Sequence, residues 1–317
     1  MEQIDTRRLA PDSTGIASAA EILRNGGLVA FPTETVYGLG ADARNEAAVA
    51  GIYSAKGRPG FNPLIVHVAD LTSATAFVTF NDVARALAEA FWPGPLTLVL
   101  PLNPASGIST RVTAGLPTLA VRVPATTLAR DLLRAFDGPV AAPSANPSGR
   151  VSPTTADHVQ DGLSGRIDAV LDGGTCNVGL ESTIIGFDPD PVLLRPGGVP
   201  AEAIEDAIGQ KLNLGPVASL APSAPGQLAS HYAPNAPIRL NATTAHEDET
   251  LLGFGSVKGD LSLSDSGDLN EAAANLFGML RQLDDLGARQ IAVAPIPDHG
   301  IGRAINDRLT RAAAPRD

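Results

Sequence analysis

Five short polar segments in this chain combine residue types suited to holding anions. In Phe31-Pro-Thr-Glu-Thr-Val-Tyr-Gly-Leu-Gly40, Thr33 and Thr35 follow an apolar run. Their hydroxyls therefore stand where a ligand meets a sheet edge. By itself the segment reads equally well as a polar turn that satisfies its own hydrogen bonds. Tyr37-Gly38 is expected to let the chain turn closely past whatever sits there. The second segment is Lys56-Gly57-Arg58-Pro59, with Asn62 and His67 downstream. A compact ammonium and a forked guanidinium two residues apart can grip one polyphosphate. The competing readings are a solvated basic turn for the pair and a satisfied core position for His67.

Thr118 and Arg122 form the third segment, inside the apolar run Leu119-Ala-Val-Arg-Val. A strand arginine is costly without a partner. The choice lies between a bound carboxylate and a protein acid, and the reading adopted favours the ligand. The fourth is Ala141-Ala142-Pro-Ser144-Ala-Asn146-Pro-Ser-Gly149, followed by Ser152. Its small hydroxyls and open backbone suit phosphate. The fifth joins Asp172-Gly-Gly174, Glu181-Ser182-Thr183 and Leu194-Arg195-Pro-Gly-Gly198; Arg195 meets a nucleotide there or pairs with a surface acid. Neither GxxxxGK[ST] nor GxGxxG occurs. Each segment alone is weak, but five strand-end loops bearing Thr, Ser, Asn, Lys and Arg can line one cleft. The single Cys176 reads as incidental, and it permits neither an internal disulfide nor a cysteine zinc cluster.

The elements that must position these residues follow from periodicity. Helices are expected at 16–25, 45–54 and 81–90, the last two opened by Asn45 and Asn81 as caps, and at 201–208. Strands are expected at 28–31, 64–68, 96–100, 118–123, 140–142, 169–171, 182–187 and 192–194. The alternation lacks a strict βαβ rhythm, which predicts an α/β fold with a mixed, twisted sheet. Residues 210–237 have the Pro, Gly, Ala and Ser content of a linker, yet contain the specific run Ser230-His-Tyr232-Ala-Pro234. Beyond them, strands at 238–240, 251–254 and 290–294 with helices at 270–286 and 302–313 predict a smaller α/β domain. The expected division is therefore 1–209, an arm at 210–237, and 238–317.

With 44% hydrophobic and 18% charged residues the chain suits a globular enzyme. Its apolar runs are too short for a membrane span, and the start shows no secretory signal, so a cytoplasmic protein is expected. A net charge of −11 argues against tight phosphate-driven RNA binding while leaving room for a local basic pocket.

In order and spacing, FPTETVYGLGADA, Lys56-x-Arg58 with PLIVHV, FWPGPLTLVL, LAVRVPA, Ser144-x-Asn146, ESTI and LLRPGG resemble the Sua5/YrdC family of L-threonylcarbamoyladenylate synthases. The resemblance is close over 16–208. The HYAP run and the C-terminal domain, ending Gly302-Arg-Ala-Ile-Asn-Asp-Arg-Leu309, are similar to the longer Sua5 form, whose second domain is Rossmann-like. The resemblance implies that L-threonine, bicarbonate or CO2, and ATP give L-threonylcarbamoyladenylate and pyrophosphate. It further implies Mg2+ with the ATP, no metal-ligating residues of the chain, and a downstream tRNA threonylcarbamoyl transferase complex, with tRNA contact at most transient. Thr35, His67, Arg122, Ala142, Ser144 and Ser182 would hold threonine. Arg58, Asn62, Thr118, Ser144, Ser152, Arg195 and Tyr232 would hold ATP. Lys56, Arg58, Ser144 and Asn146 would lie at the reacting centre. The rival readings are a double-stranded RNA-binding module without turnover and a different carbamoyl transfer.

Overall fold

The computed structural model describes residues 4–215 and 230–315. Eleven described strands form one sheet: β1 (Arg7–Leu9), β2 (Val29–Pro32), β3 (Tyr37–Asp42), β4 (Ile65–His67), β5 (Leu96–Pro101), β6 (Thr118–Arg122), β7 (Val140–Ala141), β8 (Ala169–Leu171), β9 (Thr183–Asp188), β10 (Asp190–Arg195) and β11 (Asn213–Leu214). Their spatial order is β1-β8-β2-β3-β7-β4-β6-β5-β9-β10-β11. Parallel and antiparallel pairs alternate irregularly along it, so the sheet is mixed as expected.

The helix caps act as the sequence predicts. Asn45 Oδ1 accepts from the amides of Ala47 and Ala48 to open the helix Glu46–Lys56, and Asn81 accepts from Ala84 to open Asp82–Phe91. Gly57, at φ 61°, ends the first of these in the left-handed region that glycine adopts at little cost. Arg58 is thereby turned away from the helix axis immediately after Lys56.

One expectation is overturned here. Tyr37-Gly38 is no turn but the start of β3, which pairs antiparallel with β2 through Phe31↔Gly38 and Val29↔Gly40. Its glycines serve close approach: a Cβ on Gly40 would lie 2.9 Å from the Phe31 ring, and one on Gly38 would lie 3.2 Å from Ala142 Cβ. The helices Thr127–Phe136 and Ala156–Leu163 and the edge strand β1 also lie outside the elements assigned from the sequence.

The smaller unit has four parallel strands, β12 (Ile238–Arg239), β13 (Glu249–Gly253), β14 (Leu261–Ser262) and β15 (Gln290–Val293), in the order β12-β15-β13-β14. The helices Leu269–Asp285 and Gly302–Ala313 supply much of its core. Of the arm expected at 210–237, residues 216–229 lie outside the described residues. The small unit's core does not stop at its own sheet. Val36, Val151, Leu180 and Tyr232 pack into it beside Leu276 and Phe277.

At that junction Gly179, φ 73°, meets the helix Leu269–Asp285 so closely that a Cβ would stand 2.5 Å from Ala273 O and Ala274 Cα. Gly179→Val should therefore destabilise the chain by about 1–3 kcal/mol through overpacking against a backbone that cannot yield. Urea denaturation measures this, and an unchanged midpoint would show that the two units do not pack through this contact.

Candidate active site

Pleat parity decides which side chains reach the cleft. Along β4 and β6, Leu64, Val66, Leu119 and Val121 face the main core, whereas Ile65 and Ala120 face the other way. His67 and Arg122 share the parity of Ile65 and Ala120. The parallel register His67↔Arg122 sets them side by side on that second face.

Around this face the chain builds walls. The β2–β3 turn brings Thr33 and Thr35, the segment after β7 brings Ala142 and Ser144, and the approach to β9 brings Glu181 and Ser182. Arg195 ends β10, Arg58 follows its helix, and His231 and Tyr232 lie across the opening. These residues line one cavity with about 50 Å³ of water-accessible volume, room for a few waters and no more.

Nine sequence-predicted site residues thus share one cavity: Thr35, Arg58, His67, Arg122, Ala142, Ser144, Ser182, Arg195 and Tyr232. Five others do not line it. Lys56 is buried behind the Ser144 segment and donates through Nζ to the carbonyls of Ser144 and Asn146. Asn146 donates to Pro147 O and Arg150 O, at 2.9 and 2.8 Å, leaving its buried Oδ1 unpartnered. Asn62 presents its carbonyl to Arg58 and likewise has a buried, unpartnered Oδ1. Ser152 spends its hydroxyl on Glu181 at 2.6 Å. Thr118 opens β6, at the opposite end of that strand from Arg122.

The protein acid that the competing reading of Arg122 called for is present, so the chain itself supplies a counter-charge. Nη2 donates to Glu34, Nη1 to Thr35 Oγ1 at 2.9 Å, and Nε to Gly94 O at 3.2 Å. An uncompensated guanidinium on a buried sheet face would cost too much. Glu34 also accepts from the Ala125 amide at 2.8 Å, which fixes its position.

The remaining cations are held differently. Arg58 donates to the carbonyls of Asn62 (3.3 Å) and Pro63 (2.9 Å), and burial pulls its pKa down to about 10. Burial also holds Lys56 well below the ordinary lysine value, with Arg58 adding to the effect. Neither forms an ion pair among the described residues. Arg195 donates to Ser182 O at 2.9 Å and is also lowered chiefly by burial. Burial would raise Glu181, but Arg308 and Arg195 with the Ser152 hydroxyl outweigh it and hold the carboxyl below its usual range. Cys176 is buried and its thiol is pushed up to about 12, so it is an inert core residue.

Four residues at the site were not among the candidates: Glu181 and His231, which line the cavity, and Glu34 and Arg308 behind it. All four sit inside quoted motifs, Glu34 and Glu181 one position from Thr35 and Ser182. Arg308 carried the same signal as Arg122, a charge within an apolar pattern, here between Ile305 and Leu309.

Two family sequence profiles match this chain. That of Sua5, YciO and YrdC, described as telomere recombination, spans residues 21–197, and that of the threonylcarbamoyl-AMP synthase C-terminal domain spans 199–314. Threonylcarbamoyl-AMP synthase of Bacillus subtilis is 42% identical, covering 98% of this chain and 96% of its own. The protein of that name from Pyrococcus abyssi is 41% identical, covering 95% and 94%. The crystal structure of P. abyssi Sua5 complexed with L-threonine superposes with a TM-score of 0.90 at 38% identity, over 97% of both chains.

Burial lowers His67 and His231 from 6.5 to about 3. The unfolded chain therefore takes up these protons first. Their contribution to stability is complete above about pH 7 and is lost as pH falls from about 6.5 toward 3. Each should add about 1.4 kcal/mol per pH unit to the loss in that window. His67→Asn, compared by denaturation at a series of pH values, should show the shallower slope; an equal slope would contradict the neutral buried imidazole.

Proposed function

The chain belongs to the Sua5–YciO–YrdC family, in the two-domain form, and we propose that it is a threonylcarbamoyl-AMP synthase acting as a nucleotidyltransferase. It joins L-threonine, bicarbonate or CO2, and ATP into L-threonylcarbamoyladenylate with release of pyrophosphate. The observation that carries this reading is the charge of the cavity. Lys56 and Arg58 are buried cations that form no ion pair among the described residues, held by backbone carbonyls and, for Arg58, the Tyr53 hydroxyl, beside a cleft that also holds Arg195 and the Arg122–Thr35–His67 group. Such a site favours a polyanion next to a small carboxylate.

Threonine's amine attacks CO2 to give a carbamate. A carbamate oxygen then attacks the α-phosphorus in line, and the bond to the pyrophosphate oxygen breaks. No covalent enzyme intermediate is needed; positioning and charge stabilisation carry the step. Arg122, with Thr35, His67, Ala142 and Ser182 around it, receives the amino acid, whose carboxylate shares the guanidinium with Glu34. Arg58 and Arg195, in the cavity wall, would hold the nucleotide, with Asn62 supporting Arg58 and Ser152 holding Glu181 behind that wall, and Lys56 holds the Ser144–Asn146 segment against the reacting centre.

The Ser144 hydroxyl, in the cavity wall, is an oxygen of the kind Mg2+ accepts beside phosphate and water, so it fits an ion brought in with ATP, with the buried, unpartnered Asn146 Oδ1 in the same segment. When bound, Mg2+ neutralises phosphate charge. The adenylate would be consumed by a tRNA threonylcarbamoyl transferase, any tRNA contact of this chain being transient. No helix among the described residues is long and apolar enough to cross a membrane. The double-stranded RNA reading finds no support in a net charge of −11.

Incubation with ATP, bicarbonate, Mg2+ and L-threonine should release pyrophosphate only when threonine is present, and Arg58→Ala should remove that activity. Release independent of threonine would refute the reading. The place of Tyr232 in the cavity wall also gives it the role of a lid that shields the labile mixed anhydride from water. Tyr232→Ala should therefore yield less intact adenylate per pyrophosphate released, measured by chromatography of both products; an unchanged ratio would remove the lid role.

A further inference from the structure

Arg308 is the bulkiest fully buried side chain among the described residues. It lies on the packed face of the helix Gly302–Ala313, with Ala304, Ile305, Leu309 and Ala312, and its side chain is 0% exposed. An arginine at such a position is expensive to bury unless its environment is arranged around it. Its partners come from three places. Nε donates to Glu181 Oε2 at 2.7 Å, across the junction between the two units. Nη1 pairs with Asp307 on its own helix, and Nη2 is buried with no partner. Its guanidinium carbon stands 5.0 Å from the centre of the Tyr232 ring, which also meets Phe277, stacked at 5.8 Å and 25°, and His231, tilted at 4.2 Å. Tyr232 has φ 62°, a left-handed conformation that a tyrosine keeps only when its surroundings enforce it.

Glu181 immediately precedes Ser182, and both line the cavity. Apart from Arg308, its described hydrogen bond is the one from Ser152, and the charges that act on it include Arg195. Glu181 acts in turn on Lys56. A carboxylate placed there is a competitor: released from Arg308, it would neutralise the very cations that a phosphate chain needs.

Resting on the synthase reading, we propose that Arg308, contributed by the small C-terminal unit, is a positioning residue that holds the Glu181 carboxylate on its own guanidinium, limiting its hold on Lys56 and Arg195, and clamps Tyr232, so that the cavity stays receptive to the triphosphate. This gives the second unit a defined part in the reaction. Arg308 acts on ATP through Glu181 and Tyr232, and it has no part in the Arg122 side of the cavity, where the amino acid binds.

The test is calorimetric titration of the full chain, with ATP and L-threonine in separate runs, on wild type, Arg308→Leu, and Arg308→Leu with Glu181→Gln. Wild type must first show threonine-dependent pyrophosphate release; failure there sinks the synthase reading and leaves the electrostatic claim to the ATP titrations. Arg308→Leu should weaken ATP by about tenfold or more, since it leaves a buried carboxylate without its partner, and should change threonine affinity by no more than about twofold. Adding Glu181→Gln should restore ATP affinity to within about threefold, a rescue that a merely structural role would not produce. If Arg308→Leu does not fold, Arg308→Met with Glu181→Gln replaces the whole pair by neutral groups and should bind ATP within the same range. ATP binding by folded Arg308→Leu equal to wild type, or double variants that fold but bind ATP as weakly as the single variant or not at all, would overturn the proposal.

Discussion

Buried positive charge is the constraint on which the rest of this molecule depends. Lys56, Arg58, Arg122, Arg195 and Arg308 are all withdrawn from water around one cavity, and the carboxylates facing them are few. A cation removed from solvent is costly unless something answers it. Among the described residues, Arg122 pairs with Glu34 and Arg308 with Glu181 and Asp307, while Glu181 and Asp307 also act on Arg195. Lys56 and Arg58 have carbonyl dipoles and, for Arg58, the Tyr53 hydroxyl among their described partners, which stabilise a charge less than a counter-ion does. A phosphate chain completes such an arrangement, and the fold holds the arrangement ready before it arrives.

That readiness rests on the sheet. The parallel pairing of β4 with β6 puts His67 and Arg122 abreast on one face, while the opposite face carries the core that keeps both strands rigid. The glycines of β3 let that strand lie flat against Phe31 and Ala142, drawing the Thr33–Thr35 turn toward the same face. The Gly57 stop turns Arg58 off its helix. The small unit closes the remaining side through a shared apolar core and through Arg308. Backbone parity and turn chemistry thus set the positions, and burial sets the electrostatics.

Much of this was legible in the sequence. The Asn45 and Asn81 caps, the strands that become β4, β5 and β8, and the helix at 201–208 follow from periodicity and capping chemistry, which are local. Thr35, Arg58, Arg122, Ser144 and Arg195 were identifiable as candidates because polar groups beside buried strands need partners. What periodicity could not supply was face and register. Tyr37-Gly38 gives a turn signal although it lies in a strand, because local propensity does not see Phe31 packing across it. The acid beside Arg122, Glu34, is 88 residues away in sequence and only the fold joins them. Arg308 was passed over for the same reason, its partner lying 127 residues away. The helix Thr127–Phe136, with Ala129, Leu132, Leu133 and Phe136 on one face, was fully legible and simply falls outside the elements assigned.

The account makes one thermodynamic demand above all: the folded chain must gain stability from a polyphosphate, because the unfolded chain has no such cluster of desolvated cations. Thermal denaturation of the full chain over a concentration series of ATP measures this directly. The midpoint should rise continuously with the logarithm of ATP concentration once the dissociation constant is exceeded, as mass action requires for a ligand of the native state. A midpoint that stays flat to millimolar ATP would contradict the claim that the cavity is built for a nucleotide.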